Sequence, residues 1–450
     1  MKYMRKTLQY MVLTLVLATV LLTGIAESRA ESSRDVRLRK TASQRWHKWR
    51  KNRTRFPIAA WSYFHRYEST LKDYKLYEDA GMTMVSPPPE QYGLAEQTGL
   101  DIILGHFQPV HEDEELLKSM VAGQGIDSSR IVGYSLKDEP LVGDYPGLSE
   151  AVEYVYKNDD RGAIPIMDFR PNWSVPYKRW NMTYETYFER FLDEVHPSMT
   201  LNCHYAVMRD GSTRPVYYAN IEYFRKKSLE YDIGFMGFPL ITAHKFPNNP
   251  NIDYRMPSES DIRWMVYTYL AYGAQGIWWY NWRIRDDRFM TSIIDGDSGE
   301  PTRYYPIVQD LNSEIQDIGQ TLLSLRSTGV YHLGENTPPG TTRFADGCIP
   351  SLLGLSGDDF IAGVFEHADD PNDDSVYVMF VNKRHEADTV PQDLKAKLTF
   401  IAHPEYWDVV PLSKENGHYT IKRDKGDDND YVVYTLSLDG GQGVLLRFSK

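Results

Sequence analysis

The chain has 450 residues, and its 62 acidic against 50 basic side chains leave it at a formal charge of −12. With no basic stripe in its main body, that balance argues against nucleic acid as a partner. Two cysteines, Cys203 and Cys348, are too few for a disulfide framework, no Cys/His spacing has the form of a zinc site, and no glycine-rich phosphate loop follows a predicted strand. Neither a metal nor an organic cofactor is therefore expected.

Residues 1–30 read as an export signal: Lys2, Arg5 and Lys6 precede an apolar stretch at 11–22, which ends in Ser28-Arg29-Ala30. The apolar run is too short to span a bilayer comfortably and no second one follows, so the expectation is a secreted or periplasmic protein with no membrane span after the signal is removed. Residues 31–55 are rich in Arg and Lys and read as a solvated, partly disordered basic leader.

From 56 to 328, eight short apolar segments alternate with stretches long enough for a helix: 56–63, 82–87, 101–107, 130–138, 163–169, 198–206, 232–241 and 274–282. Several are continuously apolar, as strands covered on both faces are, and the pattern predicts an α/β fold, a (β/α)8 TIM barrel. The helices between them show as well. Thr70 to Ala80 ends at Gly81, Ser258 with Asp261 opens another in capping-box fashion, and Ile307, Leu311, Ile315, Ile318, Leu322 and Leu325 recur at helical gaps. Residues 329–450 change to short alternating runs divided by acidic turns, which predicts a smaller all-β sandwich.

In such a barrel the active site lies at the C-terminal ends of the strands. The fourth strand ends in Lys137-Asp138-Glu139-Pro140. Alternation along a strand would send one carboxylate of the pair into the mouth and hold the other against the wall. A carboxyl group there with a raised pKa can protonate a leaving oxygen, the requirement for cleaving a glycosidic bond. Aromatic residues make up 13% of the chain, and their faces stack on sugars, so a carbohydrate partner fits. Further mouth candidates for substrate binding are Trp61 and His65 at strand 1, His106 after strand 3, Arg170 and Trp173 after strand 5, and Asn202, His204 and Tyr205 on strand 6. His244 after strand 7 and Tyr280 and Trp282 on strand 8 complete the set. His106, His204 and His244 come from three strands with no paired spacing and are expected to bond sugar hydroxyls, not a metal.

GYSLKDEP at 133–140, RMPSESDIRWMVYTYLAYGAQGIWWYNW at 255–282 and GEPTRYYPIVQDLNSEIQDIG at 299–319 together resemble bacterial β-galactosidase-like, clan A glycoside hydrolases. The resemblance implies an acid/base glutamate at the end of strand 4, usually within Asn-Glu-Pro, which falls on Glu139; Asp138 stands where the asparagine would be. It also implies a tryptophan platform at the end of strand 8, which falls on Trp282. The clan places its nucleophilic glutamate at strand 7, whereas this sequence continues Phe238-Pro239-Leu240-Ile241-Thr242-Ala243-His244. Glu259 is close by in sequence but reads as a first-turn acid of the next helix.

Three chemistries remain open. Asp168, at the end of strand 5, is the partner carboxylate of an inverting enzyme if it stands far enough from Glu139. Alternatively Asp138 orients an N-acetyl group of the substrate while Glu139 protonates the leaving oxygen, as in substrate-assisted hexosaminidases with an adjacent Asp-Glu pair. In the third, the barrel binds glycan without cleaving it.

Overall fold

The computed structural model describes residues 32–450 apart from 63, 65–66, 106–108, 124–125, 174–180, 389–392, 407 and 426–430, and without the side chains of 128, 250 and 425. The expected signal and the candidates His65 and His106 lie outside the described residues.

Eight parallel strands form one sheet: β1 (Ile58–Ser62), β2 (Met84–Val85), β3 (Asp101–Leu104), β4 (Ile131–Lys137), β5 (Ile164–Phe169), β6 (Met199–Asn202), β7 (Gly234–Gly237) and β8 (Ile277–Arg283). Each pairs with the next in sequence from β2 to β8, and β8 returns to β1 in register, Ile58 opposite Ile277. Between β1 and β2, Thr83 closes the circle. Its N–H donates to the Ile58 carbonyl, and its hydroxyl accepts from the Ile58 N–H, each at 2.8 Å. The interior is filled by Ala59, Met84, Ile103, Val132, Ile166, Leu201, Met236 and Trp278, all buried in one apolar cluster. The barrel is thus a packed core and only its mouth can hold a ligand.

Helices follow the strands: α2 (Leu71–Asp79), α3 (Glu114–Ala122), α4 (Tyr145–Asn158), α5 (Tyr184–Val195), α6 (Tyr217–Tyr231), α7 (Glu259–Ala271) and α8 (Tyr304–Ser324). Ser258 caps α7 through the Asp261 N–H, and Glu259 sits in its first turn, paired with Arg263 at 2.9 Å. Glu259 is therefore a helix-start acid.

The basic leader is not a disordered solvated segment. It folds as α1 (Ser33–Lys51), with a Ser32–Asp35 capping box at its start and Lys48, Arg50 and Lys51 in its last turn. Each end thus carries the charge that suits the helix dipole. Leu38, Ala42, Trp46 and Trp49 make an apolar stripe buried beneath the barrel. Trp46 and Trp49 join the interior cluster, and the Trp49 indole donates to the Val132 carbonyl at 2.7 Å. Gly234, at the start of β7, leaves room for this plug: a Cβ there would stand 2.5 Å from the Trp46 ring. The arginines that suggested solvation are used in docking, Arg45 on Asp159 at 3.0 Å and Arg50 on Asp369 at 2.9 Å.

The all-β region begins at once after α8, since the strand Leu325–His332 belongs to its six-stranded sheet. A four-stranded antiparallel sheet faces it, and Phe380, Leu398, Phe400, Leu436 and Phe448 fill the space between. The outer face of the six-stranded sheet contributes Met379, Val381 and Leu445 to the barrel's helical core. The result is a TIM barrel followed by a β-sandwich.

Candidate functional site

The mouth of the barrel holds a cleft of about 330 Å³. Its acidic side comes from β4 and β5: Asp138, Glu139, Asp168 and Arg170. Glu139 takes a left-handed backbone, φ 44°, uncommon for a residue with a side chain. That turn ends the alternation of the strand, so both acids reach the cleft and neither is withdrawn to the wall as alternation predicted. The turned backbone is held by the Glu139 N–H, which donates to Asp168 Oδ1 at 3.1 Å. The Glu139 carboxylate meets Arg170 at 2.9 Å.

The electrostatics follow from this crowding. Asp168 is 1% exposed, and burial, then the neighbouring charges of Asp138 and Glu139, hold its carboxyl well above the usual range. Burial raises Asp138 as well, and the hydrogen bond between the two carboxyl groups raises Asp168 while it lowers Asp138. Glu139 keeps 30% of its side-chain surface open, yet lies at the floor of a concave mouth where protein replaces most of its hydration water. That desolvation pushes it up to about 7 against the opposing charge of Arg170, with Asp138 adding repulsion. Such a group still carries a proton near neutrality, as a general acid must.

Glu139, Asp168 and the Cys203 thiol each place one ligand atom within 4.8 Å of the others, a spacing a metal ion could bridge. Metal ligands bind deprotonated, whereas burial raises both Cys203 and Asp168. The Cys203 thiol also donates to the Tyr205 hydroxyl at 3.4 Å. Both cysteines are free.

The opposite side is aromatic. Tyr205 and Tyr280 lie with centroids 5.3 Å apart, Tyr280 and Phe289 at 6.1 Å, His244 and Phe289 at 4.7 Å, and Tyr205 and Tyr254 at 5.6 Å. Trp61 extends the wall from β1 and Phe246 from a hairpin, Lys245–Phe246 with Asn249–Asp253, that follows β7. Arg214 pins that hairpin by donating to the Asn251 carbonyl at 2.6 Å and lies over the Trp173 ring at 4.2 Å. His244 is driven down to about 4 by burial and stays neutral.

Trp61, Arg170, Trp173, Tyr205, His244 and Tyr280 from the sequence-based set thus line the cleft with the three acids. Asn202, His204 and Trp282 do not. Strand parity sends Leu201, Cys203 and Tyr205 inward and their neighbours outward. Asn202 accepts from the Tyr269 hydroxyl at 3.0 Å, and His204 bonds Asn220 on α6 at 2.8 Å, unexposed and lowered to about 3 by burial. Trp282 is 2% exposed and packs edge-on against Tyr77 of α2 at 4.9 Å, so it is core and no sugar platform. The sequence reading missed Cys203, Phe238, Phe246, Asn249, Ile252, Tyr254 and Phe289. Parity from Leu201 could have found Cys203, while the hairpin and loop residues carry no periodic signal.

No protein-family model and no curated protein sequence matches the chain. Among solved structures, it resembles the GH99 endo-α-mannosidase from Bacteroides thetaiotaomicron at 12% identity and TM-score 0.38, covering 56% of this chain and 84% of that one. It also resembles the β-glucuronidase from Ruminococcus gnavus at 15% identity and TM-score 0.36, covering 54% of this chain and 46% of the other. The chain therefore spans less than half of the glucuronidase's length.

Proposed function

We propose that the protein is an exported glycoside hydrolase that cleaves O-glycosidic bonds in an oligo- or polysaccharide, with Glu139 as general acid. The observation that carries this reading is a carboxyl group with its pKa raised to about 7, facing an aromatic wall across a cleft of sugar-binding size. A sugar ring laid against Tyr205, Tyr280 and Phe289 presents its glycosidic oxygen towards Glu139, whose proton passes to the leaving oxygen as the bond breaks.

The geometry bears on the partner. An inverting pair leaves about 6.5–9.5 Å between carboxyl groups for the attacking water, whereas an oxygen of Asp168 lies within 4.8 Å of one of Glu139. Asp168 is moreover raised by burial and committed to the Glu139 N–H. It positions the site and does not activate water. Asp138 lies in the cleft beside Glu139 and hydrogen-bonds Asp168. This favours the substrate-assisted chemistry: Asp138 orients a 2-acetamido group, its carbonyl oxygen bonds to the anomeric carbon as the leaving group departs, and water then opens the ring with Glu139 as base.

A hydrolysis screen over plant, algal and bacterial polysaccharides and 2-acetamido oligosaccharides, comparing wild type with Glu139→Gln, tests the reading. Sugar released by wild type and lost in the variant with binding kept supports it; release with net retention at the anomeric carbon supports the Asp138 role. If neither protein releases sugar while both bind glycan, the barrel is a binding protein, consistent with the absence of a carboxylate in the run 238–244 after β7.

A further inference from the structure

The β-sandwich holds a second, larger cleft of about 660 Å³, away from the residues of the barrel mouth. We infer that it is a second glycan-binding site, for a neutral poly- or oligosaccharide. The ligand class follows from the lining alone, so the inference holds whether or not the barrel is a catalyst.

Three features of the cleft point to it. First, it offers no field for a polyanion: Glu335, Asp358 and Asp359 face Arg343 and Arg384, three acids against two cations. Second, these groups, with the Asn336 amide, are planar and bidentate, the shape that matches adjacent hydroxyls on a sugar ring. Arg384 is already braced against Asp358 at 3.0 Å, so both are held in place. Third, Leu333, Phe344 and Leu355 supply a small apolar patch for the C–H face of a pyranose.

Segments beside the cleft touch the barrel near its mouth. Gly340, in the loop that borders it, abuts Ala219 in the first turn of α6, and helix starts lie at the mouth end of the barrel. His385, next to Arg384, bonds Thr213 at 3.1 Å in the loop after β6. That loop is tied to the barrel-mouth hairpin through the Arg209 N–H, which donates to the Asp253 carbonyl at 2.9 Å.

Native affinity electrophoresis tests the assignment. The Glu139→Gln protein is run through gels containing, in turn, a mannan, a galactan, a xylan, a β-glucan and an alginate, beside the same protein with Asn336→Ala or Phe344→Ala added. Asn336 is exposed, so Asn336→Ala keeps the fold, which its Tm verifies. The expected result is retardation by at least one neutral polysaccharide, weakened about fivefold or more in Kd by either added substitution. Equal retardation of all three proteins, retardation by alginate alone, or no retardation in any gel would each overturn the inference.

Discussion

The backbone N–H of Glu139 donates to the carboxyl group of Asp168 at 3.1 Å, so the acid at the end of β4 is held in its left-handed turn by a buried acid at the end of β5. Asp168 in turn lies buried beside both acids of the β4 end and hydrogen-bonds Asp138.

Substitution at Asp168 separates these roles. Asn at this position still accepts the Glu139 N–H and can donate its amide to Asp138, so Asp168→Asn is expected to stay within a few degrees of wild type in Tm. Asp168→Ala leaves the N–H unsatisfied and is expected to cost about 1–3 kcal/mol. Thermal unfolding of the two variants checks the difference.

The pH dependence turns on Glu139. Its carboxyl is raised from 4.5 to about 7; with Glu139 in the proposed role of general acid, kcat/KM is expected to fall as pH rises through about 7, a limb absent from the residual activity of Glu139→Gln. Stability follows the same sign. Between about 4.5 and 7 the unfolded chain releases this proton before the folded one does, so the stabilisation that the group gives at low pH is lost as pH rises. Glu139→Gln is therefore expected to exceed wild type in Tm at pH 7.5, with the gap closing towards pH 4.5. A constant gap across that range would count against a raised Glu139.

Two aromatic substitutions should fail in different ways. Trp282 is buried against α2, so Trp282→Ala is expected to cost about 3–5 kcal/mol of stability. Phe289 is a half-buried ring of the cleft wall. Phe289→Ala is expected to raise KM about tenfold, the loss of about 1.4 kcal/mol of stacking, with kcat nearly unchanged. Calorimetry and steady-state kinetics on the same preparations distinguish the two.

At the other end of the barrel, Trp46→Ala and Trp49→Ala are each expected to destabilise by about 3–5 kcal/mol, since each opens a void among interior residues. Denaturant unfolding measures this. A change within experimental error for both would show that α1 is dispensable.

The barrel was legible because all eight strands are apolar runs at the spacing their crossover helices demand, and such runs keep their identity whatever surrounds them. The site was legible only along single strands. Glu139 stands out because a proline stops the strand just after it, and Asp168 on β5 shares a parity with Arg170 just beyond the strand. Asn202 and His204 were misplaced because polarity was weighed ahead of parity: Leu201 is inward, so Cys203 and Tyr205 are too. Phe246, Tyr254 and Phe289 reach the wall from a hairpin and a loop, and only the closed barrel brings them beside Tyr205. In α1, twelve residues hold Leu38, Ala42, Trp46 and Trp49 at gaps of four, four and three, a helical stripe that the dense positive charge obscured.

The helix under the barrel also sets a timetable. Its partners are Val132, Gly234 and, through Arg50, the Leu323 carbonyl and Asp369. These lie roughly 80 to 320 positions later in the chain. Among the first described segments to leave the ribosome, it cannot complete its docking until the first strands of the sandwich exist. Until then its two tryptophans have no finished floor to seal, and the nascent chain stays open to whatever handles it in that interval. The segment that closes the floor of the barrel is thus made before every one of the partners it docks on.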